Sequence, residues 1–150
     1  MSIDITEVNI SMCEKADEIQ KNHQPQRYDF VWLVGRKQID VLVDVELYDS
    51  KETIFVPLSS AMRGIMGTIE REKFIWLPRQ DQLQKMVKQL LQLNSPTLFV
   101  YAIWSWQYKE SNEILDKVRG SMEQLWLAFA MHELYHKWWN GADWILEVQP

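Results

Sequence analysis

The spacing of apolar residues changes character along the chain. Ile10, Cys13, Ala16 and Ile19 recur at helical intervals and predict a first helix over residues 10–22, thin in its apolar stripe and capped by Asn9. Residues 28–34 are rich in aromatic and β-branched side chains, and Gly35-Arg36 breaks the run. In residues 39–47, Ile39, Val41, Val43, Val45 and Leu47 alternate with polar positions, Asp40, Asp44 and Glu46 among them. Together these stretches predict an antiparallel hairpin with one wet face. A strand over 53–56 should follow the turn at Asp49-Ser50, then a short helix near 59–66 and a strand over 74–77.

Beyond Pro78 the period becomes helical. Leu83, Met86, Val87, Leu90 and Leu91 make residues 81–93 amphipathic, and Asn94-Ser95-Pro96 stops them. Residues 97–109 are so apolar and aromatic that they suit a buried helix or a strand, and their neighbours favour the helix. Ser121 with Gln124 forms a capping box that opens a last helix over 122–139, closed by Asn140-Gly141. The expected fold class is α+β, a small antiparallel sheet from the N-terminal half packed against helices from the C-terminal half. With no repeat and no linker-like tract, residues 1–150 read as one domain.

Composition narrows the function classes. Sixteen Lys and Arg against 21 Asp and Glu give a net charge of −5, which repels a phosphate backbone, so nucleic acid is not an expected partner. The single cysteine, Cys13, rules out an internal disulfide and a cysteine zinc cluster, and a reducing cytoplasm fits it. Residues 1–7 lack the layout of a signal peptide, and the longest apolar stretches, 98–104 and 125–131, are too short to span a bilayer, so no membrane partner is expected. Glycines in no phosphate-binding pattern leave nucleotide hydrolysis by those routes without its loop. Asp40, Asp44 and Glu46 share a predicted strand face, a wet surface rather than the dense oxygen cage that calcium requires.

One pentapeptide carries catalytic chemistry. His132-Glu133-Leu134-Tyr135-His136 has the zincin spacing, which on a helix puts two imidazoles one turn apart, with Glu133 beside them as general base for a zinc-bound water. A third ligand is needed, and downstream only Asp143 and Glu147 qualify. The extended pattern fails, because Trp139 and Ala142 stand where its glycine and third histidine belong. On a helical wheel Leu127, Met131, Leu134, Tyr135 and Trp138 form the apolar stripe, with His132 and His136 roughly opposite. That is the arrangement of a solvated face, and it makes zinc the lesser reading. Eight tryptophans are the other unusual feature. Trp32, Trp76, Trp104 and Trp126, set in apolar segments, are expected in the core, leaving Trp106, Trp138, Trp139 and Trp144 as binding candidates.

Three stretches carry a resemblance: Met12-Cys13-Glu14-Lys15-Ala16 with Glu18-Ile19-Gln20, then Trp76-Leu77-Pro78-Arg79-Gln80-Asp81-Gln82-Leu83-Gln84, then residues 121–129 with Trp139-Asn140-Gly141. Together they resemble a group of short uncharacterised proteins from prophage regions of clostridia-like bacteria, with residues 28–60 matching less well. The resemblance implies a shared origin and fold but no activity or cofactor. It also implies that the histidines at 132 and 136 are incidental, since lysine- and asparagine-like residues tend to stand there. The expectation is therefore a non-enzymatic phage or prophage accessory protein that binds a host protein or a small signalling ligand, with an anti-defence role as one form. The alternative is a zinc-dependent hydrolase using His132, His136 and Asp143 as ligands and Glu133 as base.

Overall fold

A computed structural model describes residues 3–48, 51–57, 66–92, 94–109, 115–118 and 120–147. The first helix begins earlier than its apolar spacing suggests. Thr6, in extended backbone, caps α1 (Glu7–Lys15) by accepting from the Asn9 amide at 3.3 Å. Asn9 itself is buried in the first turn, where its side chain donates to the Asp4 carbonyl. At Ala16 the backbone leaves the helical region, which separates α1 from α2 (Asp17–Asn22).

The expected hairpin forms from β1 (Phe30–Leu33) and β2 (Gln38–Val41), paired from Phe30 against Val41 to Leu33 against Gln38. The polar alternation over 39–47 does not continue as one strand. It breaks at Leu42-Val43, and β3 (Asp44–Tyr48) joins a second sheet with β4 (Lys51–Pro57) and β5 (Met66–Glu70), all antiparallel. The helix expected near 59–66 falls, but for Met66, outside the described residues, and Met66 begins β5.

A single 3₁₀ turn (Arg71–Lys73) leads into β6 (Phe74–Leu77), which completes the first sheet in the order β2-β1-β6. All four residues of β6 are buried, because both its faces are covered. Cross-strand partners share a face, so Val31, Leu33 and Phe74 lie on one side and Phe30, Trp32, Ile75 and Leu77 on the other. The first set gathers with Leu42 into a small cluster against Val45 and Ile69 of the second sheet. The second set faces the main core. Along the outer edge of β6, the Gln20 side chain accepts from the Trp76 amide at 3.0 Å and donates to the Trp76 carbonyl at 2.8 Å. It satisfies there the backbone groups that a further strand would otherwise pair.

Three helices follow: α3 (Gln80–Leu90), α4 (Pro96–Lys109) and α5 (Met122–Tyr135). Leu83 and Val87 bury the apolar stripe of α3. Helix α5 is buried from Trp126 through Met131, as expected of a helix that is apolar on most of its circumference. Its cap is half the predicted box. Ser121 accepts from the Gln124 amide, but the Gln124 side chain turns instead to the Asp4 carboxylate at 2.8 Å and the Thr6 hydroxyl at 3.2 Å.

The chain ends in a feature the helical reading of 122–139 does not contain. His136 adopts the left-handed conformation (φ 54°), α5 stops at Tyr135, and β7 (Lys137–Trp139) pairs with β8 (Trp144–Leu146). The four residues Asn140–Asp143 are the loop of this hairpin, closed by the Asn140 amide donating to the Asp143 carbonyl at 3.0 Å. The Asn140 side chain accepts from the amides of Ala142 and Asp143, and Gly141 takes the positive φ of 103° that only glycine adopts without strain. Among the described residues no helix is long and apolar enough to cross a membrane.

Candidate functional site

The end of α5 decides the geometry of the zincin pentapeptide. His132 lies within the helix, but His136 is its left-handed C-cap, so the two imidazoles are not consecutive positions on one helical face. Nor is His132 on a solvated face. Its side chain is 16% exposed, its ring lies 4.2 Å from that of Trp138, and its Nδ1 is 2.9 Å from a Glu133 oxygen. The Glu147 carboxylate approaches its Nε2 at 3.7 Å. The carboxylate required as general base is thus engaged with the histidine beside it. Asp143, the proposed third ligand, pairs with Lys15 at 2.8 Å in the hairpin turn. Among the described residues no three His, Cys, Asp or Glu side chains converge on a point that could hold a metal ion. The donor set does not fit a zincin site.

The tryptophans fall differently from their segment context. Trp106, a binding candidate, is 4% exposed and packs against Phe129 and Trp138, while Trp104, expected in the core, is 56% exposed. Trp76 and Trp126 are buried as expected, and Trp32 is partly buried against the core. Across the final hairpin Trp139 and Trp144 are direct strand partners with rings 5.2 Å apart. Trp139 is buried, and the Trp144 indole donates to the Met12 carbonyl at 2.9 Å. Lys137 pairs with Glu18. These contacts lash the hairpin to α1 and α2. Trp138 alone of the four is partly exposed without a hydrogen bond of that kind, and it stacks on Trp106 and His132.

His23 takes part in an arrangement that sequence spacing does not reveal. Its ring lies flat on Trp76, with planes within 4°, and its Nε2 is 2.6 Å from Asp29. Asp29 is 1% exposed and also accepts from the Gln26 amide and the Gln82 side chain, so its carboxylate is fully used in joining the β1 entry to α3. A shallow cavity of about 900 Å³ opens beside His23, with Glu14, Asp17, Lys21 and Arg71 among its lining residues. Asp40 and Asp44 stand on separate strands in different sheets, so the acidic face is divided; the side chains of Asp44 and Glu46 lie outside the described residues.

Among the described residues, α4 carries an exposed aromatic face. On α4, Phe99, Ala102, Ile103 and Trp106 point to the core. Thr97, Val100, Tyr101, Trp104 and Tyr108 occupy about 100° of arc on the far side, at 100° per residue. Val100 is 63% exposed, Tyr101 61% and Tyr108 80%. The three rings form a ladder along the helix, with centroids 6.2 Å apart from Tyr101 to Trp104 and 5.7 Å apart from Trp104 to Tyr108. A shallow groove of about 530 Å³ runs beside them, lined by Pro96, Thr97, Val100, Tyr101 and Trp104. The signal was present in the sequence as a second apolar stripe, at 97, 100, 101, 104 and 108, on a helix that needs only one to reach the core.

Compared with protein-family models, curated proteins and solved structures, the chain matches none.

Proposed function

We propose that the chain is a non-enzymatic accessory protein of the phage or prophage kind its sequence resembles, acting in the cytoplasm of a bacterial host by binding a protein partner. The reading is supported above all by the second apolar face of α4. Soluble monomers seldom leave a contiguous aromatic patch of this kind unused, and Trp and Tyr dominate the energetics of protein interfaces. A protein suits the face better than a small signalling ligand. No charged residue occurs from Pro96 to Tyr108, and the groove is open, whereas a phosphorylated ligand needs cationic or amide donors and enclosure. Interference with a host defence component is the form of binding consistent with the prophage resemblance.

The test is affinity purification from host lysate with the wild type and Trp104→Ala in parallel, followed by calorimetry on the purified partner. A partner retained by the wild type should bind Trp104→Ala at least about 30-fold more weakly, the loss of a hot spot worth about 2 kcal/mol. Equal affinity for both proteins, or no partner for either, would overturn the reading.

A further inference from the structure

We infer that in the free protein the exposed face of α4 is covered by a second copy of the same chain, in an antiparallel, two-fold helix pair centred on Trp104. The inference rests on the recognition role proposed above and names the occupant of that face before a partner arrives.

Three observations favour a second copy. The first is symmetry: Tyr101 and Tyr108 flank Trp104 at three residues before and four after, so a two-fold axis at Trp104 lays each Tyr101 near the other chain's Tyr108. The same patch then serves both sides. The second is area. Aromatic side chains bury about 150–250 Å² each, so these exposures leave roughly 600 Å² of mostly apolar surface per chain, at the upper end of what a monomer carries. Two such faces supply at most roughly 1,200 Å², the lower edge of a specific interface. The third is charge. Each chain carries −5, so two copies repel on average, yet residues 96–108 contribute nothing to that repulsion and α4 brings only Lys109. On this stretch two like chains can meet without an uncompensated charge.

The charge argument also sets a salt dependence. Screening weakens the repulsion between the two acidic bodies and leaves apolar burial intact, so association should strengthen as salt rises. An interface built on ion pairs would weaken instead.

Sedimentation velocity on the full chain from about 1 to about 100 μM, at low and at physiological salt, tests this. The wild type should shift from monomer to dimer within that range, more completely at the higher salt. Trp104→Glu and Tyr108→Glu should both remain monomeric throughout, with unchanged circular dichroism; Tyr108 is exposed enough that its variant keeps the fold should the other fail. A wild type monomeric at every concentration, or a dimer indifferent to both substitutions, overturns the second copy. The two readings separate cleanly. A monomeric wild type whose purified partner is still lost on Trp104→Ala overturns the dimer alone, whereas partner binding indifferent to position 104 overturns the recognition face as well.

Discussion

Two tryptophans separated by one residue show how much a single position depends on its helix. Trp104 and Trp106 sit in the same apolar segment, and segment context puts Trp104 in the core and Trp106 outside it, the reverse of what the structure shows. Two residues correspond to 200° of helical rotation, so when one faces the core the other faces water. Asp40 makes a related point about burial. Burial holds its carboxyl above the usual carboxylate range, against the lowering effects of the Val41 amide and the Arg36 charge. Its second oxygen is buried without a partner among the described residues. A carboxyl raised in the folded state lowers stability as pH climbs from its unfolded value to its folded one, and the penalty is complete above both. Asp40→Asn should therefore be the more stable protein at neutral pH, by an amount that solvent screening of this partly exposed carboxyl keeps small, with the advantage vanishing in acid below the normal aspartate range. Urea denaturation of the two proteins across pH checks it; an equal difference at all pH values would show that ionisation is not the cause.

At the scale of elements, Asn140-Gly141 reads in the sequence as the stop of a helix and in the structure begins the loop of a hairpin. Asn140-Gly141 is a stop signal after a helix and equally the strongest short hairpin turn, and Trp138, Trp139, Trp144, Ile145 and Leu146 around it have strand propensity. The helical reading prevailed in sequence because the apolar period of α5 runs on into Trp138. In the structure the chain turns earlier, at His136, and Trp139 and Trp144 become strand partners, with Trp139 buried and the Trp144 indole donating to the Met12 carbonyl of α1. His136 meets this turn with a left-handed backbone that a glycine would adopt more readily. His136→Gly should raise stability by about 0.5–1 kcal/mol, because its exposed ring contributes little packing. Chemical denaturation measures this. A clear loss of stability would mean that the imidazole has a contact or a ligand, and would reopen the zincin pentapeptide.

At the scale of the molecule, one cluster joins Met12 at the N-terminal end to Trp139 near the other. Asp4, Ser121 and Gln124 tie the start of the chain to the start of α5, and Trp144 with Lys15 and Asp143 ties the final hairpin to α1. Burial opposes ionisation of Asp4, but hydrogen bonds from Ser121, Thr6 and Gln124 outweigh it and leave its carboxyl below the usual range. That stabilisation is present above the unfolded value and disappears as pH falls through the folded one. Cys13 reports on the whole cluster. Burial, reinforced by the Asp4 charge, pushes its thiol far above the range in which thiolate forms. It should resist an aromatic disulfide reagent in the native state and react with one equivalent once denaturant unfolds the chain. Labelling at native conditions on the timescale of a free thiol would contradict a cooperative core around it.

The sequence by itself determined the α+β class, the β1-β2 hairpin, β6, α3 and the start of α5, because these rest on local periodicity and turn chemistry; over 97–109 it left helix and strand both open, and only the neighbouring helices favoured α4. Tertiary structure alone decided where α5 ends, which of two neighbouring tryptophans is exposed, that 39–47 divides between two sheets, and that His23 meets Asp29. Each of those outcomes is a competition between segments distant in the chain for the same buried surface, and no local pattern records which of them wins.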